Sequence, residues 1–433
     1  MPRINNIRAR EILDSRGNPT LEVDVYLEDG ARGRGVAPSG ASTGKAEALE
    51  LRDADPRRYL GRGVLKAIEN VSQVIAPAVT GMQAHDQAAL DRRLCELDGT
   101  ENKSRLGANS TLAVSLGVAR AAAASSGLPL FQYLGGLGAV ELPVPMINIA
   151  SGGMHGGGNI DFQDFQVIPL RAERYSDAVH DAAVIYRAMK EVLKTRGAYS
   201  PGVADEGGYA PRLTSNEAGF EVMVEAFTRS GFVPGRDAAI AVDVAASHFY
   251  ANGSYHLSTE REEWSSRDLV ERLATWAERY PVLSIEDGVA EDDEMGWKLL
   301  TERLGNRCQL IGDDLFVTNP RRLAAGICDG LANAVLVKMN QIGTLSETLE
   351  VVKLAQSTGY RTVVSARSGE TEDDFMSDLT VGVGAGQLKV GAITRSERLA
   401  KYNRLLRIEE HLGGNAVYRG AEVFCGLRST PAV

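Results

Sequence analysis

Four short stretches, IAVD (residues 240–243), LSIED (283–287), QLIGDD (309–314) and AVLVKMN (334–340), each run apolar and then stop on charge. Unbroken apolar runs of this length suit parallel strands buried on both faces, since half-solvated strands alternate. FQVIPL (165–170) and TVVSARSG (362–369) are further runs of the kind, and stretches of helical periodicity lie between them. Helix starts are marked: Thr214 with Glu217 and Thr344 with Glu347 are spaced as capping boxes, and Pro320 follows Thr318-Asn319. Strand alternating with helix in this way predicts an α/β architecture, a (β/α)8-type barrel over residues 140–433.

Ahead of the barrel the pattern differs. TLEVDVYL (20–27) alternates so that Leu21, Val23, Val25 and Leu27 share one face, and Glu28-Asp29-Gly30 turns the chain into another short run, an antiparallel meander. Helical patterns follow at 62–80, 84–97 and 110–126, the last stopped by Gly127 and Pro129. Residues 1–135 therefore predict a separate α+β domain, and Leu134-Gly135-Gly136-Leu137-Gly138 reads as a linker. A chain of 433 residues has room for both units.

The net charge of −10 argues against a general nucleic-acid footprint and favours small-molecule partners. Cys95, Cys308, Cys328 and Cys425 are scattered without CxxC spacing, which argues against a disulfide framework or zinc site and fits a reducing compartment. MPRINNIRAREILDSRG (1–17) has no apolar leader core, and no later stretch is long enough to cross a bilayer, so the expectation is a cytoplasmic protein without membrane partners.

Asp243, Glu286, Asp313 and Lys338 close successive apolar runs, which in a barrel places them at the C-terminal strand ends where such folds keep their active sites. Singly, each acid could be a helix cap or a solvated loop residue. Three buried together cannot all stay ionised without a counter-charge, and an all-oxygen set points to Mg²⁺ or Mn²⁺ rather than zinc. Adjacent Asp287 and Asp314 leave the choice of ligand open, because neighbouring side chains in a strand point to opposite faces. Lys338 is a candidate base, its pKa expected to be lowered beside a metal, and Lys389 in GQLKVG is a second strand-end amine. Three loops add candidates: SGASTG (39–44), GGMHGGG around His155 (152–158) and ADEGGYAP (204–211). Arg367-Ser368 offers a fork and a hydroxyl suited to phosphate.

These motifs run through nearly the whole chain. SRGNPT, PSGASTG, LDGTENKS, GANS, DEGGYAP, SIEDG, GDDLFVTN, KMNQIG, RSGETED and KYNRLLRIEE resemble the enolase family. The resemblance implies an enolase-like fold in which the N-terminal domain caps the barrel, with two Mg²⁺ per active site. It implies Asp243, Glu286 and Asp313 as ligands of the first ion, and Ser39 helping to hold the second. It further implies Lys338 as the base at C2 of a 2-phosphoglycerate-type substrate and Glu206 as the acid at C3. Gln163, His155, Arg367, Ser368 and Lys389 follow as substrate contacts, the residues from Ser39 to Thr43 as a closing lid, and a homodimer or larger ring as the assembly.

The resemblance breaks at the active site. Asp164 stands where the family pattern has glutamate, Ala366 where it has histidine, and His248 where glutamate is common in the DVAASHF string (243–249). Metal cage and base are retained while the leaving-group side is altered, so the expectation is a repurposed member accepting a bulkier substrate near Ala366. That is similar to the carboxyphosphonoenolpyruvate synthases of phosphonate natural-product pathways, whose second substrate is CMP-activated phosphonoformate. A glycolytic enolase tolerating both replacements and a non-catalytic enolase-like scaffold are the alternatives.

Overall fold

The computed structural model describes residues 1–427. At the N-terminus three antiparallel strands, Ile4–Leu13, Pro19–Leu27 and Arg32–Val36, form the meander. Leu21, Val23, Val25 and Leu27 are all buried against the helix Ala108–Ser125. The contact is close because both sides carry minimal side chains: a Cβ on Gly35 would lie 2.0 Å from the Ala113 carbonyl oxygen. The alanine-rich composition of the helix is therefore a packing requirement. The strand Ile4–Leu13 gave little signal, because only Ile4 and Ile7 in INNIRAREIL are fully buried.

The helix expected over 62–80 is a composite of Leu65–Asn70, a π turn Val71–Ile75 and Ala76–Val79. The glycine-rich segment expected to be a linker is instead ordered as a short helix, Leu130–Gly135, and a 3₁₀ turn, Gly136–Gly138. Gly135 is seated so tightly that a Cβ would lie 1.9 Å from the Gly382 carbonyl oxygen.

The barrel closes in the order Val282–Glu286, Gln309–Gly312, Ala334–Val337, Arg361–Ser365, Gly386–Gly391, Val144–Ser151, Asp164–Pro169, Ala238–Asp243. It departs from the all-parallel expectation at one strand. Asp164–Pro169 runs antiparallel to both of its neighbours. No helix separates it from Val144–Ser151, so the chain turns back at the same rim, whereas a parallel connection needs a crossover. Of the expected helix starts, Asn319 caps Pro320–Cys328 and the Thr344 hydroxyl accepts from the Glu347 amide. Thr214 makes no such cap: the helix begins at Glu217 after Asn216, whose side chain makes no cap bond. Among the described residues no single helix is long and apolar enough to cross a membrane.

Candidate active site

The strand ends converge as their sequence positions require. Asp243 pairs in register with Glu286, Asp164 with Asp243, and Ser151 with Asp164, so four polar side chains from four strands lie in one layer at one rim. Asp164 belongs there only because its strand is reversed, which brings that strand's beginning, not its end, to this face.

The charges are arranged amine against acid. Lys389 Nζ lies 2.8 Å from Asp243 Oδ2 and 2.7 Å from both Glu286 oxygens, and Lys338 Nζ is bonded to Asp313. Gln163 donates to Asp243 at 3.2 Å and Gln341 to Asp313 at 2.8 Å. Burial works against ionisation of Asp243 and Asp313, but Lys389 and Lys338 respectively overcome it and hold both carboxyls below the ordinary range. Two amines do not suffice for the rest. Burial, reinforced by Asp243, pushes Glu286 well up; burial with Asp314 does the same to Asp287; burial with Asp313 takes Asp314 up to about 8.

That shortage of positive charge is the fit test for a metal. Carboxylate oxygens of Asp287, Asp313 and Asp314 lie within 4.8 Å of one another, all buried. The Asp287 carboxylate, however, accepts the backbone amides of Asp313 and Asp314, both at 2.9 Å, and so serves as a clamp on that loop. Asp243 and Glu286 are paired with Lys389 and Asp313 with Lys338, amines that a cation could displace, while Asp314 has no ion-pair partner among the described residues. An oxygen-only, charge-deficient, buried set fits a hard dication.

A second cluster faces the first. His155 Nδ1 lies 2.8 Å from Asp164 Oδ2, Ser151 donates to Asp164 at 2.6 Å, and Asn148 donates to Glu206 at 3.0 Å. Burial opposes the charge on His155, but Asp164 and Glu206 outweigh it and hold the imidazole up at about 9. Burial raises Asp164, while Glu206, although also buried, is lowered by His155. A lowered Glu206 is the reverse of what proton donation requires in the ligand-free cleft.

The loop at Ser39–Gly44 lies closed over the rim. The Ala41 amide donates to Ser368 Oγ at 2.8 Å, Arg367 to the Ser42 carbonyl at 2.7 Å, and Ser42 Oγ lies 2.6 Å from His248 Nε2. Ser39 is not brought to the acids: its hydroxyl sits between Glu50 at 3.0 Å and Arg52 at 2.9 Å. Arg367 also holds Glu47 at 2.9 Å and Asn340 at 3.0 Å. The cleft beneath the loop, with a cavity volume of about 30 Å³, is lined by His155, Gln163, Glu206, Asp243, Asp313, Lys338, Ala366, Arg367, Ser368 and Lys389.

The enolase N-terminal domain matches residues 4–134 and the enolase C-terminal TIM barrel domain matches residues 139–426. The chain belongs to the enolase family. Its acidic cluster is in keeping with a family that uses Mg²⁺. Within this enolase framework burial disfavours the charge on Lys338, yet Asp313 holds its pKa above that of an ordinary lysine. Sequence reading also missed the residues that orient the site without lining it, chief among them Asn148 behind Glu206 and Ser151 behind Asp164. Both sit on the strand Val144–Ser151, whose unbroken burial hides two polar side chains in an apolar pattern.

Proposed function

We propose that this enolase-family protein removes the C2 proton of a 2-phosphoglycerate-type substrate to form an enolpyruvate, as a carboxyphosphonoenolpyruvate synthase acting with CMP-activated phosphonoformate. The observation that carries the reading is the contrast within one cleft. Acids and both amines are complete on one side, while the wall at Ala366 presents only a methyl group where the family pattern has an imidazole.

In this reading Asp243, Glu286 and Asp313 hold Mg²⁺, or Mn²⁺, with a second ion nearer the lid. Metal bound there supplies concentrated positive charge against the substrate carboxylate, where negative charge grows as the proton leaves. Engagement of Asp313 would release the Lys338 amine and favour its neutral, proton-accepting form. Lys389, freed likewise from Asp243 and Glu286, turns to the substrate carboxylate. Arg367, Ser368 and His155 receive phosphate, whose charge would offset the effect of His155 on Glu206 and restore a proton to that acid. The closed Ser39–Gly44 loop excludes water. The closed cleft, of about 30 Å³, leaves no room for a nucleotide, so that part of the second substrate would extend beyond the lid. Assembly as a homodimer or larger ring belongs to the same proposal.

The test supplies Mg²⁺ and 2-phosphoglycerate alone, then adds CMP-activated phosphonoformate. Product that depends on the second addition supports the synthase. Full conversion to phosphoenolpyruvate by the first substrate alone replaces it with dehydration, the reading favoured by the retained Glu206. No product in either arm, with binding unaffected in Lys338→Ala, leaves the scaffold.

A further inference from the structure

The motif KYNRLLRIEE (401–410) and the residues just before it take no part in the chemistry above, yet they place three cations on one helix face. Arg395, Arg398 and Lys401 are spaced three apart at the start of the helix Ser396–Leu412. All three aim at backbone carbonyls. Arg395 donates to Ser15 O at 2.8 Å, and Lys401 donates to Thr371 O at 2.6 Å while pairing with Glu370 at 2.8 Å. Arg398 donates to Arg367 O at 2.6 Å, Ser368 O at 2.6 Å and Val390 O at 3.0 Å, with no exposed surface of its own.

Positive charge in a first helical turn opposes the macrodipole, and full burial opposes it again, so helix stability does not account for Arg398. What its guanidinium does is bond the carbonyls of Arg367 and Ser368, at 2.6 Å each. Ser15 Oγ supports the same Ser368 carbonyl at 3.2 Å, and the Arg367 amide is taken by Glu370 at 3.1 Å, itself held by Lys401. With the backbone secured from behind, both side chains line the cleft.

We infer that Arg398 is a positioning residue for phosphate recognition: it fixes the Arg367-Ser368 backbone and so sets where the fork and the hydroxyl meet the anion. The inference rests on the proposed phosphate role of those two residues. Arginine suits the place because its rigid planar fork holds three carbonyls of different residues in fixed directions, whereas an ammonium is a compact point charge on a flexible stem.

The test compares full-length wild type, Arg398→Lys and Ser15→Ala for binding of inorganic phosphate by calorimetry, with unfolding temperature and substrate kinetics alongside. Arg398→Lys is expected to weaken phosphate binding on the order of tenfold and to raise KM more than it lowers kcat, from sub-ångström displacement of the loop. Ser15→Ala, which removes the weaker donor to Ser368 O and the acceptor of the Glu370 amide, is expected to shift binding in the same direction by less. Phosphate binding unchanged in Ser15→Ala and in folded Arg398→Lys overturns the inference alone. A wild type that binds no phosphate overturns the phosphate reading, and this inference with it.

Discussion

Asp164 stands directly opposite Asp243 where the reversed strand Asp164–Pro169 pairs with Ala238–Asp243. Two buried acids in register repel unless each has its own cation. Asp164 has His155, and Asp243 shares Lys389 with Glu286, so the layer is split into two electrostatic compartments, each with its own cation.

The first compartment is tested by titration. His155 is held up at about 9 against an ordinary value of 6.5, burial opposing and Asp164 prevailing. A raised folded-state pKa means that the ion pair's contribution to stability is complete below about 6.5 and is lost as pH rises through about 9. Asp164→Asn is expected to return the imidazole toward or below its ordinary value and remove that pH dependence, read by proton NMR of the ring together with unfolding temperature from pH 6 to 10.

The second compartment is tested by metal addition. Glu286 is pushed up by burial and by Asp243, so it retains a proton that a dication must expel. Mg²⁺ binding is expected to release protons, measurable by calorimetry in buffers of different ionisation enthalpy, and to tighten as pH rises. At a hundredfold excess over Kd it should stabilise the fold by about 2.7 kcal/mol, and EDTA should abolish activity. Equal heats in all buffers would contradict the deficit of positive charge.

Lys338→Ala is expected to lower the rate of C2–H exchange with solvent by roughly 10²–10⁴-fold, the range for loss of a general base. Exchange of the substrate proton in D₂O, followed by mass spectrometry, checks this without requiring the second substrate. Retention of exchange in the variant would remove the base from Lys338.

Ala366→His combined with Asp164→Glu is expected to move product selectivity toward simple dehydration, read as the ratio of phosphoenolpyruvate to phosphonate-containing product. Because Ala366 is buried in the cleft wall, the imidazole enters the cleft itself. An unchanged ratio would detach these two positions from the divergence in function.

Much of this site was legible in the sequence, because strand-end position is a one-dimensional property. A run such as AVLVK ends where its apolar demand ends, and the barrel then gathers every such ending at one rim, which is how Asp243, Glu286, Asp313, Lys338 and Lys389 come together. Loop composition put forward His155, Glu206, Arg367 and Ser368, the family resemblance gave them roles, and the structure places all four around the same cleft.

Three matters were decided only by the tertiary structure. Strand direction at Asp164–Pro169 depended on the absence of a helix before it, and that direction alone carries Asp164 to the working rim. Protonation depended on distance: Asp313 bonds the Lys338 amine and holds its pKa above that of an ordinary lysine, against the effect of burial. The orienting contacts of Asn148, Ser151 and Arg398 depended on chain segments far apart in sequence meeting in space. Alternation and spacing record which side of an element is buried; they carry no information about which polar atom it meets there, because hydrogen bonds and ion pairs are fixed within a few tenths of an ångström by packing.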